Sequence, residues 1–272
     1  MKPNTFRSFT FVLLTSLMVL PVGAVESGEV LLQKLKSSDA AIRRNAAEVL
    51  AERGIADLVN DLKKVLPDLL PALKDSDADV RYYVAVALAS AGWDDNGAQA
   101  LSGAVPALIE ALKDKDPRVR EYSAKAIGLV MPQPPAETAK PLLKLLNDKE
   151  KGGEKTVQEA ALAALSRIKP VTPEMASAVL KLLKEDKDVK GEAASTLGDF
   201  ASSDPEVISV LIGALKDTDR FIRQEVVRAF GKIGPPARAA LPELKKIADN
   251  SKEDQTIRDN AVAALRRIEQ GN

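Results

Sequence analysis

Asp75, Asp77 and Asp79 alternate along the chain, as do the carboxylates that open a calcium-binding loop. Such a loop also needs glycine at its sixth position and an acid at its twelfth, where this chain has Val80 and Val86. The acidic pairs recur as Asp114/Asp116, Asp186/Asp188 and Asp217/Asp219. A carboxylate that returns just before each apolar helical run reads as an N-cap, accepting hydrogen bonds from the free N–H groups of a helix start. Residues 93–97, Trp-Asp-Asp-Asn-Gly, make a further acidic turn. The chain contains no histidine and no cysteine. That removes the side chain best suited to proton transfer near neutrality, together with thiolate nucleophiles, disulfides and zinc–thiolate sites. Ser-His-Asp and Cys-His mechanisms are excluded within the chain. No phosphate-cradling glycine loop is present. No spacing singles out a pair among the remaining Asp, Glu, Lys and Tyr side chains. The expectation is a non-enzymatic protein with no catalytic residue, no metal site and no cofactor.

The acidic turns belong to a repeat. A β-branched residue followed by a polar one opens each unit's second helix: Ile42-Arg43, Val80-Arg81, Val119-Arg120, Val157-Gln158, Val189-Lys190, Ile222-Arg223 and Ile257-Arg258. Successive pairs lie 38, 39, 38, 32, 33 and 35 residues apart. Counting the first member as zero, position +4 is Ala46, Val84, Ser123, Ala161, Ala193, Val226 and Ala261, and position +8 is Leu50, Leu88, Ile127, Leu165, Leu197, Phe230 and Leu265. At about 100° per residue, positions 0, +1, +4, +5, +7 and +8 share one arc, and +2, +3 and +6 share the other. The first arc is apolar apart from its basic member. Small residues there allow close helix approach, and the larger +8 residue fills the seam. One such unit cannot bury its apolar face, so stacking supplies the core.

The stretches L-K-D-S-D-A-D-V-R at 73–81, L-K-D-K-D-P-R-V-R at 112–120 and L-K-D-T-D-R-F-I-R at 215–223 resemble HEAT repeats. The likeness is to the short bacterial kind also found in phycobilin-lyase-type proteins. It spans roughly residues 28 to 268 and implies an all-α, right-handed solenoid of about seven helical hairpins that serves as a binding scaffold. The units are placed at 28–54, 57–92, 99–130, 137–168, 173–200, 205–233 and 237–269, within one domain covering 25–272. First helices are expected over 28–37, 57–73, 99–113, 137–147, 173–184, 205–216 and 237–249. Second helices are expected over 40–52, 79–91, 117–130, 155–168, 188–200, 219–232 and 255–269. No segment alternates convincingly with period two, so no sheet is expected. Breaks are expected at 92–97, 131–135 and 234–236. Pro67, Pro71, Pro106, Pro141 and Pro242 should start or bend first helices, since proline removes an intrahelical bond. The fourth unit departs most, with its turn lengthened by residues 147–156, NDKEKGGEKT.

Residues 1–24 have the three parts of a secretory signal peptide: basic Lys2 and Arg7, an apolar run from Phe9 to Leu20, and the small residues Val22-Gly23-Ala24 after Pro21. The run is short for a bilayer span, which takes about 20 residues; retention as an anchor is the other reading. An exported protein, periplasmic or secreted, is expected. Without Lys2 and Arg7 the chain carries 37 basic and 39 acidic residues, a net charge of −2. Such a balance argues against nucleic acid as a partner and against steering to anionic lipid.

The basic +1 residues lie on the buried arc and must be paired, because an unpaired buried charge is costly. Asp75, Arg81, Asp114, Arg120, Asp217 and Arg223 are therefore read as members of a structural ladder of arginines and acidic turns, within or between units. The other arc is where a protein or peptide partner would dock. Tyr82, Tyr83, Val86, Tyr122 and Lys125 gather there, bringing all three tyrosines of the chain onto one face. Aromatic side chains are enriched among residues that dominate binding; covering seams between units is their alternative role. The leading functional expectation is an exported protein-binding scaffold. A bilin-lyase or isomerase-like accessory and a self-assembling cell-envelope protein are the alternatives.

Overall fold

The computed structural model describes residues 26–53, 62–93 and 95–271. The expected signal peptide at 1–24 and the expected start of the second unit at 57–61 lie outside the described residues. Each unit pairs a first helix with a second. The pairs are α1 Gly28–Lys34 with α2 Ala40–Arg53, and α3 Leu62–Leu69 with α4 Ala78–Ala91. The third unit has α5 Asp95–Ala100 and α6 Val105–Ala111 before α7 Pro117–Gly128. Then come α8 Ala139–Leu145 with α9 Val157–Leu165, and α10 Pro173–Glu185 with α11 Lys190–Asp199. Last are α12 Pro205–Ala214 with α13 Arg220–Ile233, and α14 Leu241–Asp249 with α15 Gln255–Gln270. The second helices pack in chain order, α2 on α4, α4 on α7, α7 on α9, and so on to α15. The architecture is an all-α solenoid. Among the described residues there is no strand, only an isolated antiparallel bridge between Lys151 and Thr156. No helix among them is long and apolar enough to cross a membrane.

The repeat pattern explains the core. All +4 residues from Ala46 to Ala261 are fully buried, and Leu50, Leu88, Ile127, Leu165, Leu197 and Phe230 at +8 are at most 1% exposed. Burying a large apolar side chain contributes about 1.5–3 kcal/mol each. Close approach is enforced where the sequence has glycine. At Gly198 an added Cβ would lie 2.6 Å from the Cα of Ala229 on the next second helix, so α11 and α13 meet backbone to backbone. Ser123 is the polar member of the +4 row, and its buried hydroxyl has no hydrogen-bond partner among the described residues.

Proline shapes the first helices as its missing N–H dictates. Pro106 and Pro242 sit in the first turns of α6 and α14, each after a 3-10 turn, Leu101–Ala104 and Pro235–Ala240. Pro71 lies in the 3-10 turn Leu70–Lys74 that closes α3, and Pro67 lies within α3. Pro141 follows the 3-10 turn Ala136–Thr138 inside α8. Two expectations are corrected. The break placed at 92–97 is shorter, because Asp95 already starts α5. The second helix placed at 155–168 runs only from Val157, since Thr156 is its N-cap and exchanges hydrogen bonds with Glu159 in a capping box.

Candidate functional site

Two faces of the stack carry polar groups at regular spacing. The first is the edge formed by the acidic turns. The Arg43 guanidinium donates to Asp75 of the next unit through Nε (2.6 Å) and Nη2 (2.9 Å). Arg81 does the same to Asp114 (2.7 and 2.9 Å). Arg120 donates to Asp148 (2.7 Å) and to Glu150. Lys190 pairs with Asp217 (2.6 Å), and Arg223 with Glu253 (3.0 and 2.7 Å). Each arginine also donates Nη1 backwards to a carbonyl of its own turn: Arg81 to Asp75 (2.8 Å), Arg120 to Asp114 (2.8 Å) and Arg223 to Asp217 (2.8 Å). The sequence left open whether these bonds run within or between units; the carboxylates are shared between units and the carbonyls within them.

In the turns that open with Asp75, Asp114 and Asp217 the two acids divide the work. The first, such as Asp114, holds the preceding unit's arginine and accepts from the N–H of the second (2.9 Å). The second caps the helix: Asp77 accepts from the N–H of Asp79 and Val80, Asp116 from Arg118, and Asp219 from Phe221. Burial pushes the Asp75 carboxyl upward, but the Arg43 hydrogen bond and the Asp77 N–H outweigh it and hold the group below its usual range. Lys190 does this for Asp217, and Arg223 for Glu253. With these bonds made, the acidic turns are spent on structure. Among the described residues no group of three or more acidic side chains is placed to hold a metal ion. A cleft of about 530 Å³ between the second and third turns is lined by Arg81 and Asp114 themselves.

The fourth unit breaks the pattern in charge. Gln158 is neutral and 2% exposed, donating to the Leu146 carbonyl (2.6 Å) and to Asp186 (3.1 Å). Lys149, from the lengthened turn, supplies the missing positive charge to Asp186 at 2.9 Å. Sequence reasoning did not assign Lys149 this role.

The second face is the row of second helices. Tyr82 and Tyr83 are half-buried on α4, their ring centroids 5.0 Å apart. The Tyr83 hydroxyl donates to Glu48 of α2 at 2.9 Å, and burial and this carboxylate push its pKa up to about 12. Arg118 lies over the Tyr82 ring, 4.6 Å from its centroid, and donates to Asp79 at 2.9 Å. Val86 is half-buried beside them. Further along the row, the Phe221 ring is 49% exposed and lies across Gly191, where a Cβ would meet it.

The outward placement of Tyr122 is corrected. Its side chain is only 6% exposed, and Glu121 beside it is 1% exposed. The lengthened turn covers both. Residues 150–157 form a small hairpin: Val157 N–H donates to the Glu150 carbonyl (3.1 Å), and Gly152 N–H to the Lys155 carbonyl (2.9 Å). The hairpin tip lies on α7. The Glu121 carboxylate accepts from the main-chain N–H groups of Gly153, Glu154 (3.2 Å) and Lys155 (3.0 Å). Burial raises the Glu121 carboxyl above its usual range, with those N–H groups pulling the other way. The Lys125 ammonium sits over the Tyr122 ring at 4.8 Å and pairs with Glu154 at 2.7 Å. Tyr82 still touches Tyr122, edge to face, with centroids 5.6 Å apart. The structure thus brings all three tyrosines together, as their spacing implied, but leaves only Tyr82 and Tyr83 partly open. The Gly152-Gly153 pair in an overlong turn was the sequence signal for this covering.

Stacked helical hairpins with a polar spine on one edge and an open row of second helices define an α-solenoid repeat protein. The chain matches HEAT repeats over residues 28–105, 66–166, 105–188 and 176–266, and it belongs to that family. No curated protein matches it. Among solved structures, an engineered protein is 26% identical with a TM-score of 0.63, over 90% of this chain and 68% of that one. The complex of CpcE and CpcF of phycocyanin lyase from Nostoc sp. PCC7120 is 22% identical with a TM-score of 0.53, over 93% of this chain and 100% of that one. A computationally designed armadillo repeat protein for modular peptide recognition is 23% identical with a TM-score of 0.52, over 89% and 99%. The last two likenesses are of fold.

Proposed function

We propose that this chain is a non-enzymatic, exported scaffold that docks a partner protein or peptide on the row of second helices. The observation that carries this reading is the division between the two polar faces. The turn edge has its carboxylates and guanidiniums committed to one another. The second-helix row keeps Tyr82, Tyr83 and Phe221 partly or largely open, with Arg118 over one ring. Aromatic rings with an adjacent guanidinium are the groups that dominate binding energetics. The peptide recognition of the armadillo design of like fold agrees with this. Export rests on the pattern of residues 1–24.

The test is affinity capture from envelope extract with the protein lacking residues 1–24, beside a Tyr82→Glu/Tyr83→Glu variant of matched helicity and melting. A partner held by the first and lost by the second is the expected result. Equal capture by both would remove the tyrosines from the docking surface. The lyase-like alternative, to which the phycocyanin lyase fold gives its support, would show as bound pigment absorbing in the visible.

A further inference from the structure

The 150–157 hairpin is longer than the fold requires. From the first acid of the turn to the β-branched residue opening the second helix there are five steps at Asp75–Val80, Asp114–Val119 and Asp217–Ile222, but nine at Asp148–Val157. The spine does not need the extra length, because Arg120 reaches Asp148 at 2.7 Å as Arg81 reaches Asp114. What the extra residues do is lie on α7. There they bury a carboxylate, Glu121, whose hydrogen bonds all come from three successive main-chain N–H groups. Three consecutive N–H groups converging on an anion form a nest. Here the roles are those of a receptor and a loop: α7 offers the anion, and the hairpin presents the nest. Lys125 adds a cation for the acid at the tip, Glu154, and Tyr122 forms the floor under Gly153. A side chain at residue 152 would run into the Glu121 carboxylate, so only a glycine fits the approach.

We propose that Glu121, Tyr122 and Lys125 form a peptide-binding site that the chain's own hairpin masks. Its external ligand is a tight turn of a partner protein in which a Gly-Gly pair precedes an acidic residue. The turn gives its main-chain N–H groups to Glu121 and its carboxylate to Lys125. The inference rests on the second-helix row being a docking face, and it places a specific ligand class on α7, the third helix of that row. The hairpin is tethered at both ends, so it competes at an effective concentration on the order of millimolar. A partner turn must therefore exceed that, or bind elsewhere on the row first, before it displaces the hairpin.

The test uses a cyclised synthetic peptide with the sequence of residues 149–156, KEKGGEKT, and isothermal titration. In one variant Gly152–Lys155 are deleted, which restores five steps between Asp148 and the opening valine. This shortened protein, folded with the helicity of the parent, is expected to bind the peptide at least tenfold more tightly than the parent. Adding Glu121→Gln to it should abolish binding, as should a peptide with both glycines replaced by alanine. Absence of binding to the folded, shortened protein, or binding that is indifferent to Glu121→Gln, would overturn the proposal. If the deletion does not fold, Gly152→Ala in the full chain carries the test: it should bind the peptide and be nicked by a lysine-specific protease at Lys151 or Lys155. A variant that neither binds nor is nicked would equally overturn it. Because the peptide is of known sequence, this outcome is independent of whether capture finds a partner.

Discussion

The junction of the second and third units and the junction of the third and fourth use the same arginine position to different ends. At the first, Arg81 meets Asp114 in a five-step turn, and α4 leaves Tyr82 and Tyr83 half-open. At the second, Arg120 meets Asp148 and Glu150 in a nine-step turn, and α7 is covered down to 1% exposure at Glu121. The difference teaches that the spine and the face are separable. Length can be added to a turn without disturbing the ladder, provided the first acid stays in reach of the preceding arginine. The added length passes the helix cap to Thr156, lets Glu150 join Asp148 on Arg120, and changes which side chains of the second helix meet solvent.

The largest effect should come from breaking the spine inside the stack. Arg120→Ala leaves Asp148 without its buried partner and is expected to cost about 3 kcal/mol in urea unfolding. Arg258→Ala should cost no more than about 0.5 kcal/mol, because that side chain pairs with no carboxylate among the described residues and donates mainly to carbonyls of its own turn. Equal costs at the two positions would deny that the ladder acts between units.

Acid should act on the spine next. Asp75, Asp217 and Glu253 are held below their ordinary values in the folded chain. A depressed carboxylate contributes stability that is present above its unfolded pKa, about 4, and is lost as pH falls through the folded value. Melting temperature should therefore be level from pH 7 to about 5 and fall below about 4. In Arg43→Ala the acid limb should become shallower, since the strongest of the interactions that lower the Asp75 carboxyl is removed. A limb unchanged by this substitution would separate acid sensitivity from the ladder.

Smaller still is the repair at the neutral rung. Lys149→Ala removes the charge that offsets Gln158 and should raise the Asp186 pKa, read by NMR, at a cost of about 0.5 kcal/mol because Lys149 is itself exposed. No change at Asp186 would mean that Gln158 alone suffices. On the face, the smallest effect is spectroscopic. Tyr83 should ionise only near pH 12, and Glu48→Gln should bring that value down toward 10.

Much of this was legible in the residues. The pair Val-Arg at 80–81, 119–120 and its variants fixed the register of every second helix, and the +4 and +8 rows named the buried seam before any contact was seen. Proline positions marked where first helices pass between 3-10 and α geometry. The covering of Glu121 and Tyr122 was not legible from helical phase, because phase describes one helix and the cover comes from a turn some 30 residues later. Nor was Arg118 over Tyr82, a contact between neighbouring units whose geometry depends on how closely α4 and α7 approach. Lys149 was hidden for a related reason: its role follows from Gln158 lacking charge, and the two side chains meet only at a shared acid in the next unit, Asp186.

The separation of spine from face is tested most directly by photo-crosslinking in envelope extract. A photoreactive residue is placed at position 82 on the second-helix row in one protein and at position 115 on the turn edge in another. A discrete partner adduct from position 82, with none from position 115, is expected. An adduct from position 115 alone would contradict a docking face on the second helices and place recognition on the turn edge.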